Sequence, residues 1–162
     1  MCGVHHEYLK KNLPLVKTMV GDFAVEHSKK FSWLAEMERK FELLSLQLQL
    51  SMKKEEEVIF PYIRRVTHAY RDNEPYIKLL VRTLRKPMEE TMSADGDRIL
   101  SLLSDIRELT GQYQPASNVC TSHKVVLAKL RELDNDISHH SYLERSILYP
   151  RAIGIEKEVL AM

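Results

Sequence analysis

Seven histidines stand in this chain of 162 residues, and two pairs of them are adjacent, His5-His6 and His139-His140. Imidazole is the commonest metal-binding side chain, and carboxylates are its usual co-ligands. Four residues combine that chemistry with an inward position: His6, Glu55, His140 and Glu144. Each falls on the apolar stripe of a helical pattern. There an ionised carboxylate costs several kcal/mol unless it is paired or bound to metal. A cation compensates both glutamates and also accepts imidazole nitrogen, so the pattern predicts a metal centre between helices.

The elements that must position these residues have the period of helices. His6, Leu9, Leu13, Val16, Val20, Phe23 and His27 alternate three and four apart along a first helix, with Pro14 inside it as a predicted kink. A turn comes next, near 28–30. Met37, Phe41, Leu44, Leu48, Ser51, Glu55 and Val58 mark a second helix, expected to stop at Phe60-Pro61 because the residue before a proline disfavours helical angles. A short helix and turn over 62–73 and a helical stretch over 76–86 come after it. The third long pattern runs Met88, Met92, Asp95, Ile99, Leu102, Ile106, Leu109 to Gly111. After a loop at 112–117, the last runs from Asn118 through Leu130, Leu133, Ile137, His140, Glu144 and Ile147 to Tyr149-Pro150. Residues 151–162 read as a tail of one or two helical turns. Short links between long amphipathic helices make neighbours antiparallel. The expected fold is therefore all-α, one domain over 1–162, an up-down-up-down four-helix bundle.

Helix direction brings the candidates to one end. The first helix leaves from His6, the second returns to Glu55, and the last returns to His140 and Glu144. His140 and Glu144 are four apart and share a face. His27 lies 21 residues beyond His6, about 31 Å along a continuous helix, which excludes it as a co-ligand. An internal echo supports the pairing. Residues 51–61, SMKKEEEVIFP, align without gaps to residues 140–150, HSYLERSILYP. The residue four before the glutamate is Ser51 in the first copy and His140 in the second, and a matched two-metal site would want histidine at both.

Composition narrows the remaining classes. Lys+Arg 24 against Asp+Glu 23 leaves a net charge of +1, without the basic excess of a nucleic-acid binder. No apolar run approaches the roughly 18 residues of a membrane span. The first residues do not read as a signal peptide, and two cysteines, Cys2 and Cys120, suit a reducing cytoplasm. Nucleophile elbow, phosphate-cradling glycine loop and Cys-x-x-Cys are all missing, so no catalytic residue is assigned. His5 and His139 read as surface residues or neighbours of the site, and His68 and His123 as surface residues, with donation to a neighbouring carboxylate as the other reading of His123. Cys120, near a helix start, reads as a small buried cysteine, or else as a thiol of lowered pKa. Met88 and Met92 read as core filling.

At the site residues the chain resembles the hemerythrin-like domain of the repair-of-iron-centres family, di-iron proteins linked to recovery of iron–sulfur clusters after nitrosative and oxidative stress. The matching stretches are His5-His6-x-Tyr8-Leu9-Lys10-x-x-Leu13-Pro14 and Met52-x-Lys54-Glu55-Glu56-x-Val58-Ile59-Phe60-Pro61. They continue with Leu109-Thr110-x-x-Tyr113-x-Pro115 and Cys120, then His140-x-x-x-Glu144-x-x-x-Leu148-Tyr149-Pro150-Arg151-Ala152. The resemblance implies a hemerythrin-like bundle with four histidines and two bridging glutamates. His6, Glu55, His140 and Glu144 match that set. Ser51 stands where a histidine is expected, and Asp95-Gly96-Asp97 stands where the family has Glu-His-Asp, so Gly96 replaces a ligand. Asp95, Asp97 and the poorer donor Ser51 are the residues left to complete a shell. The preceding small domain with a cysteine pair, carried by fuller family members, is expected to be absent.

Three functions stand as expectations. The first is a cytoplasmic metal-binding protein of iron–sulfur cluster repair and stress response, binding one or two iron ions, with zinc or manganese as other ions the set suits and iron–sulfur proteins as partners. The second is a metal-free helical-bundle interaction or regulatory protein that works by binding a partner. The third is an oxygen- or redox-sensing di-iron module.

Overall fold

Apolar residues three and four apart produce helices, and among the described residues of this computed structural model no strand occurs. It describes residues 2–162, with side chains for 3–85 and 94–162, so the side chains of Cys2, Met88 and Met92 lie outside the described residues. Helix α1 is Cys2–His27 and α2 is Leu34–Lys54; a π-helical turn, Glu55–Ile59, leads into α3, Phe60–Arg71. Then come α4 (Ile77–Leu84), α5 (Lys86–Leu109), α6 (Thr121–Leu143), a second π-helical turn (Glu144–Leu148) and α7 (Tyr149–Ala161). The chain divides into two compact units, one of Met1–Gln49 with Arg98–His140, the other of Leu50–Asp97 with Ser141–Met162.

The first unit holds α1 and the parts of α2, α5 and α6 that bury the long apolar stripes. Leu9, Leu13, Leu34, Met37, Phe41, Leu44, Leu103, Ile106, Leu127, Leu133 and Ile137 are almost fully buried. Each such side chain contributes about 1.5–3 kcal/mol of transfer free energy. Polar contacts give the order of the helices. Lys17–Glu42 at 2.9 Å joins α1 to α2, and Lys40–Asp105 at 2.5 Å joins α2 to α5. Arg107–Asp134 joins α5 to α6, and His5–Asp136 at 2.9 Å with Tyr8–Glu132 at 2.8 Å closes α6 on α1. His5 meets Asp136 at one end of α1 while His27 meets Cys120 at the other, so α1 and α6 run antiparallel. The expected up-down-up-down order of four helices holds within this unit. Pro14 is exposed and leaves α1 a single helix over Cys2–His27.

The turn after α5 is tied down by a buried carboxylate. Gly111, Gln112 and Tyr113 all have φ near +60°, with only the first relieved by glycine. The Tyr113 N–H donates to Thr110 Oγ1 at 3.3 Å, and its hydroxyl donates to Asp134 Oδ2 at 2.6 Å. Asp134, 3 % exposed, also accepts both arms of the Arg107 guanidinium at 2.6 and 2.5 Å and the Ser138 hydroxyl at 2.9 Å. Burial, with the carboxylate beside it, pushes the Tyr113 phenol up, so the proton stays on the phenol and keeps that bond.

The far end of α1 differs from the expectation for His123. It is buried, packed against Phe23, Phe31 and Trp33 at ring distances of 4.9, 5.1 and 5.9 Å. His123, Val126, Leu127 and Leu130 share the α6 stripe, so the ring is drawn into the apolar layer, which holds its pKa down. His68 is exposed, as expected. Cys120 is exposed rather than buried, with the Ser122 hydroxyl 3.0 Å and His27 Nε2 3.6 Å from its sulfur.

In the second unit α3, α4 and α7 enclose their own core of Ile59, Tyr62, Val66, Ala69, Ile77, Val81, Tyr149, Ala152 and Val159. Two expectations are corrected here. The second helix does not stop at Phe60-Pro61 but passes through a π-helical turn into α3. A proline ring collides with the carbonyl four residues back, here Glu57, and the wider turn relieves that collision. The tail is likewise a full helix of 13 residues, because Tyr149, Ala152, Glu156 and Val159 form a buried stripe. Glu156, fully buried, accepts the Tyr62 hydroxyl at 2.5 Å and lies 3.6 Å from Arg85 Nε.

Asp134→Ala should lower unfolding free energy by about 2–3 kcal/mol in urea titrations, because it strands buried donors, whereas Glu132→Ala on the solvent side should cost below about 1 kcal/mol. The Ser122 hydroxyl holds the Cys120 thiol below its ordinary value. Its alkylation rate should therefore rise at lower pH in the folded chain than in the urea-unfolded chain, and Ser122→Ala should move the midpoint upward.

Candidate metal centre

His6 and His140 are brought together. His6 sits on the α1 stripe one turn before Leu9, and His140 lies near the end of α6, one turn after Ile137. They are 2 % and 8 % exposed, and their rings meet edge-on with centroids 5.4 Å apart. His5 packs on the other side of His140, with ring centroids 5.0 Å apart. Its Nδ1 lies 2.9 Å from Asp136 Oδ1, so Asp136, one turn before His140, fixes the neighbour of a candidate ligand. Asp136 is not among the residues singled out by spacing, although its place at i−4 from His140 is the available signal. His139 is exposed.

In the second unit Glu55 and Glu144 hold equivalent positions. Each is the first residue of a π-helical turn, each is buried, at 6 % and 8 % exposed, and each has its backbone carbonyl accept the N–H five residues on, from Phe60 and Tyr149. A proline comes directly after each of those aromatic residues, Pro61 and Pro150. The sequence echo is thus a structural one: α-helix, π-turn on the glutamate, then helix restarted at an aromatic-proline pair. The residue one turn before Glu55 is Ser51, whose hydroxyl donates to Glu55 Oε1 at 2.9 Å.

The remaining candidates are engaged in ion pairs. Lys54 Nζ is 3.1 Å from Asp95 Oδ2, and Arg145 Nη2 is 2.7 Å from Asp97 Oδ1, with Asp97 64 % exposed. Between them Gly96 offers no donor atom, and a Cβ placed on it would make ordinary contact with the Arg145 side chain at 3.8 Å. His27 lies at the opposite end of α1, which is one continuous helix, among Phe23, Phe31 and Cys120. The distance reasoning that separated it from His6 therefore applies.

Imidazole and carboxylate are the donors that first-row divalent cations take; the first unit buries His6 and His140, and the second buries Glu55 and Glu144. These residues do not fit the fuller two-metal set, since the hydroxyl at Ser51 is committed to Glu55 and Gly96 has no side chain.

The comparisons with known proteins give the family. Residues 3–152 match the model of the hemerythrin HHE cation binding domain. The iron-sulfur cluster repair protein YtfE of Edwardsiella ictaluri is 29 % identical over 150 residues, covering 93 % of this chain and 62 % of that protein. Those of Escherichia coli and Yersinia pestis are 25 % and 22 % identical, covering 94 % and 92 % of this chain and 63 % and 61 % of theirs. The chain spans less than two thirds of the length of these curated relatives. No helix among its described residues is long and apolar enough to cross a membrane. With the domain model covering nearly the whole sequence and the buried histidines and glutamates at their helical positions, the chain belongs to the hemerythrin HHE cation-binding domain family.

Proposed function

We propose that this chain binds a single divalent cation through His6, Glu55, His140 and Glu144, and that it acts in the cytoplasm in iron–sulfur cluster repair under nitrosative or oxidative stress. The observation that carries the reading is the buried His6–His140 pair, two imidazoles held ring to ring out of water, the donor pair that a cation joins. Glu55 and Glu144, buried at the heads of the two π-helical turns, supply the anionic donors. His6, Glu55 and His140 are all buried and of ligand type. The relatives' printed name, iron-sulfur cluster repair protein, motivates the physiological role, and iron–sulfur proteins are the partners that role requires.

Iron is the proposed ion, with zinc or manganese as substitutes the donors accept; such an ion supplies Lewis acidity, and iron adds one-electron exchange. The chain's own contribution is to keep imidazole nitrogens and carboxylate oxygens out of water. Asp136 orients His5 against His140, which limits the freedom of that ring. Asp95 and Asp97 are held by Lys54 and Arg145, and neither is assigned to the ion.

Untagged protein made under iron-replete conditions should contain close to one metal per chain and lack the strong visible band of an oxo-bridged pair. Less than about 0.2 metal per chain, with a melting temperature indifferent to chelator, would support the metal-free interaction protein instead. Two irons per chain with an oxo-bridge band would support the sensing module. His140→Ala should cut metal content at least about tenfold and His27→Ala should leave it unchanged; equal effects would put the ion elsewhere.

A further inference from the structure

The geometry points to Ser51 as the positioning residue of Glu55, one that holds this carboxylate in the orientation of a ligand to one ion. The inference rests on the proposed role of Glu55 and adds to it the residue that sets how Glu55 binds. Ser51 lies in the last turn of α2, half-buried, and its Oγ is 2.9 Å from Glu55 Oε1. A serine hydroxyl has one proton to give, and an ionised carboxylate only accepts, so the donor is Ser51. Serine within a helix more often returns its proton to the carbonyl one turn back. Here the proton goes forward, to the side chain one turn ahead.

That bond has two consequences. It fixes the rotation of the Glu55 carboxylate, which otherwise turns about its last torsion with little resistance. It also withdraws electron density from Oε1 and occupies one of its lone-pair directions, whereas a carboxylate that bridges two metals presents both oxygens outward. The internal echo sharpens the contrast. In the second copy the residue four before Glu144 is His140, which can itself hold an ion; in the first copy the same position supports its glutamate from within. The local backbone reinforces the arrangement, because Glu55 begins the π-helical turn and its carbonyl is bound by the Phe60 N–H.

The test uses the full untagged chain loaded with iron(II) anaerobically, and with cobalt(II) as a visible-spectrum probe. Ser51→Ala should weaken both ions about 10–100-fold in competition titrations and alter the cobalt(II) d–d bands, while Ser51→Thr, which keeps the hydroxyl, should stay within about threefold of the parent. Melting temperatures of the metal-free variants check that the fold is kept, and a merely structural role would lower them without changing the cobalt(II) spectrum of the loaded protein. An unchanged affinity and spectrum in Ser51→Ala, with the parent chain loaded, overturns the role of Ser51 alone. A parent chain that takes up neither ion overturns the metal reading as well, and the two failures are told apart by the parent's own titration.

Discussion

Carboxylates are costly to bury, and among its described residues this chain buries four of them: Glu55, Asp134, Glu144 and Glu156. Two are compensated in the same way. Asp134 takes a tyrosine hydroxyl, Tyr113, and an arginine, Arg107; Glu156 takes a tyrosine hydroxyl, Tyr62, and faces an arginine, Arg85. In both cases burial and the adjacent carboxylate push the phenol up, so the tyrosine remains a donor at every physiological pH. These are structural locks, one in each unit: the first pins the left-handed turn after α5, the second pins α7 to α3. Glu55 has another pattern, with a serine as donor, in a chain that also buries two histidines against each other. The contrast separates carboxylates that hold the fold from those proposed as ligands.

The two π-helical turns place that second kind. A π-turn inserts one residue into the helical ladder and rotates the residues beyond it, and such turns concentrate at functional sites. Here each begins on the buried glutamate and ends just before an aromatic-proline pair, so one local device serves two purposes. It accommodates a proline in mid-helix, and it sets the carboxylate at the point where the regular ladder opens. The gapless alignment of 51–61 with 140–150 is the sequence trace of that device.

Much of the helical order is legible in the sequence because the buried stripes are long. The α1 stripe from Leu9 to Phe23 matches its burial residue by residue, and the second and last patterns pick out Phe41, Leu44, Leu133, Ile137 and His140. Helix ends are less legible. Pro61 and Pro150 carry the usual signal of termination, and the π-turns that let the helix continue depend on the carbonyl geometry behind each proline rather than on any residue type. His123 misleads for a related reason: a polar residue inside an apolar stripe reads as surface until its neighbours at i±3 and i±4 are counted. Among the candidate ligands, Asp95 sits on the helical stripe, but its pairing with Lys54 depends on which helix faces it, and no spacing along one helix contains that information.

Charge bears on the proposed single-ion reading independently of ligand count. In their ionised forms Glu55 and Glu144 would supply two negative charges, the amount that one divalent cation neutralises. A second ion would need further anionic donors, and the acidic side chains of the third long helix beside Gly96 are already matched, Asp95 by Lys54 and Asp97 by Arg145. A Cβ on Gly96 would be in ordinary contact with the Arg145 side chain at 3.8 Å, so the second unit places a guanidinium, not a ligand, beside that position. A cation brought next to an arginine with no added anion meets repulsion that burial makes stronger. In the proposed reading Gly96 and Ser51 act in the same direction: the one offers no donor and has an arginine beside it, the other gives its hydroxyl proton to Glu55.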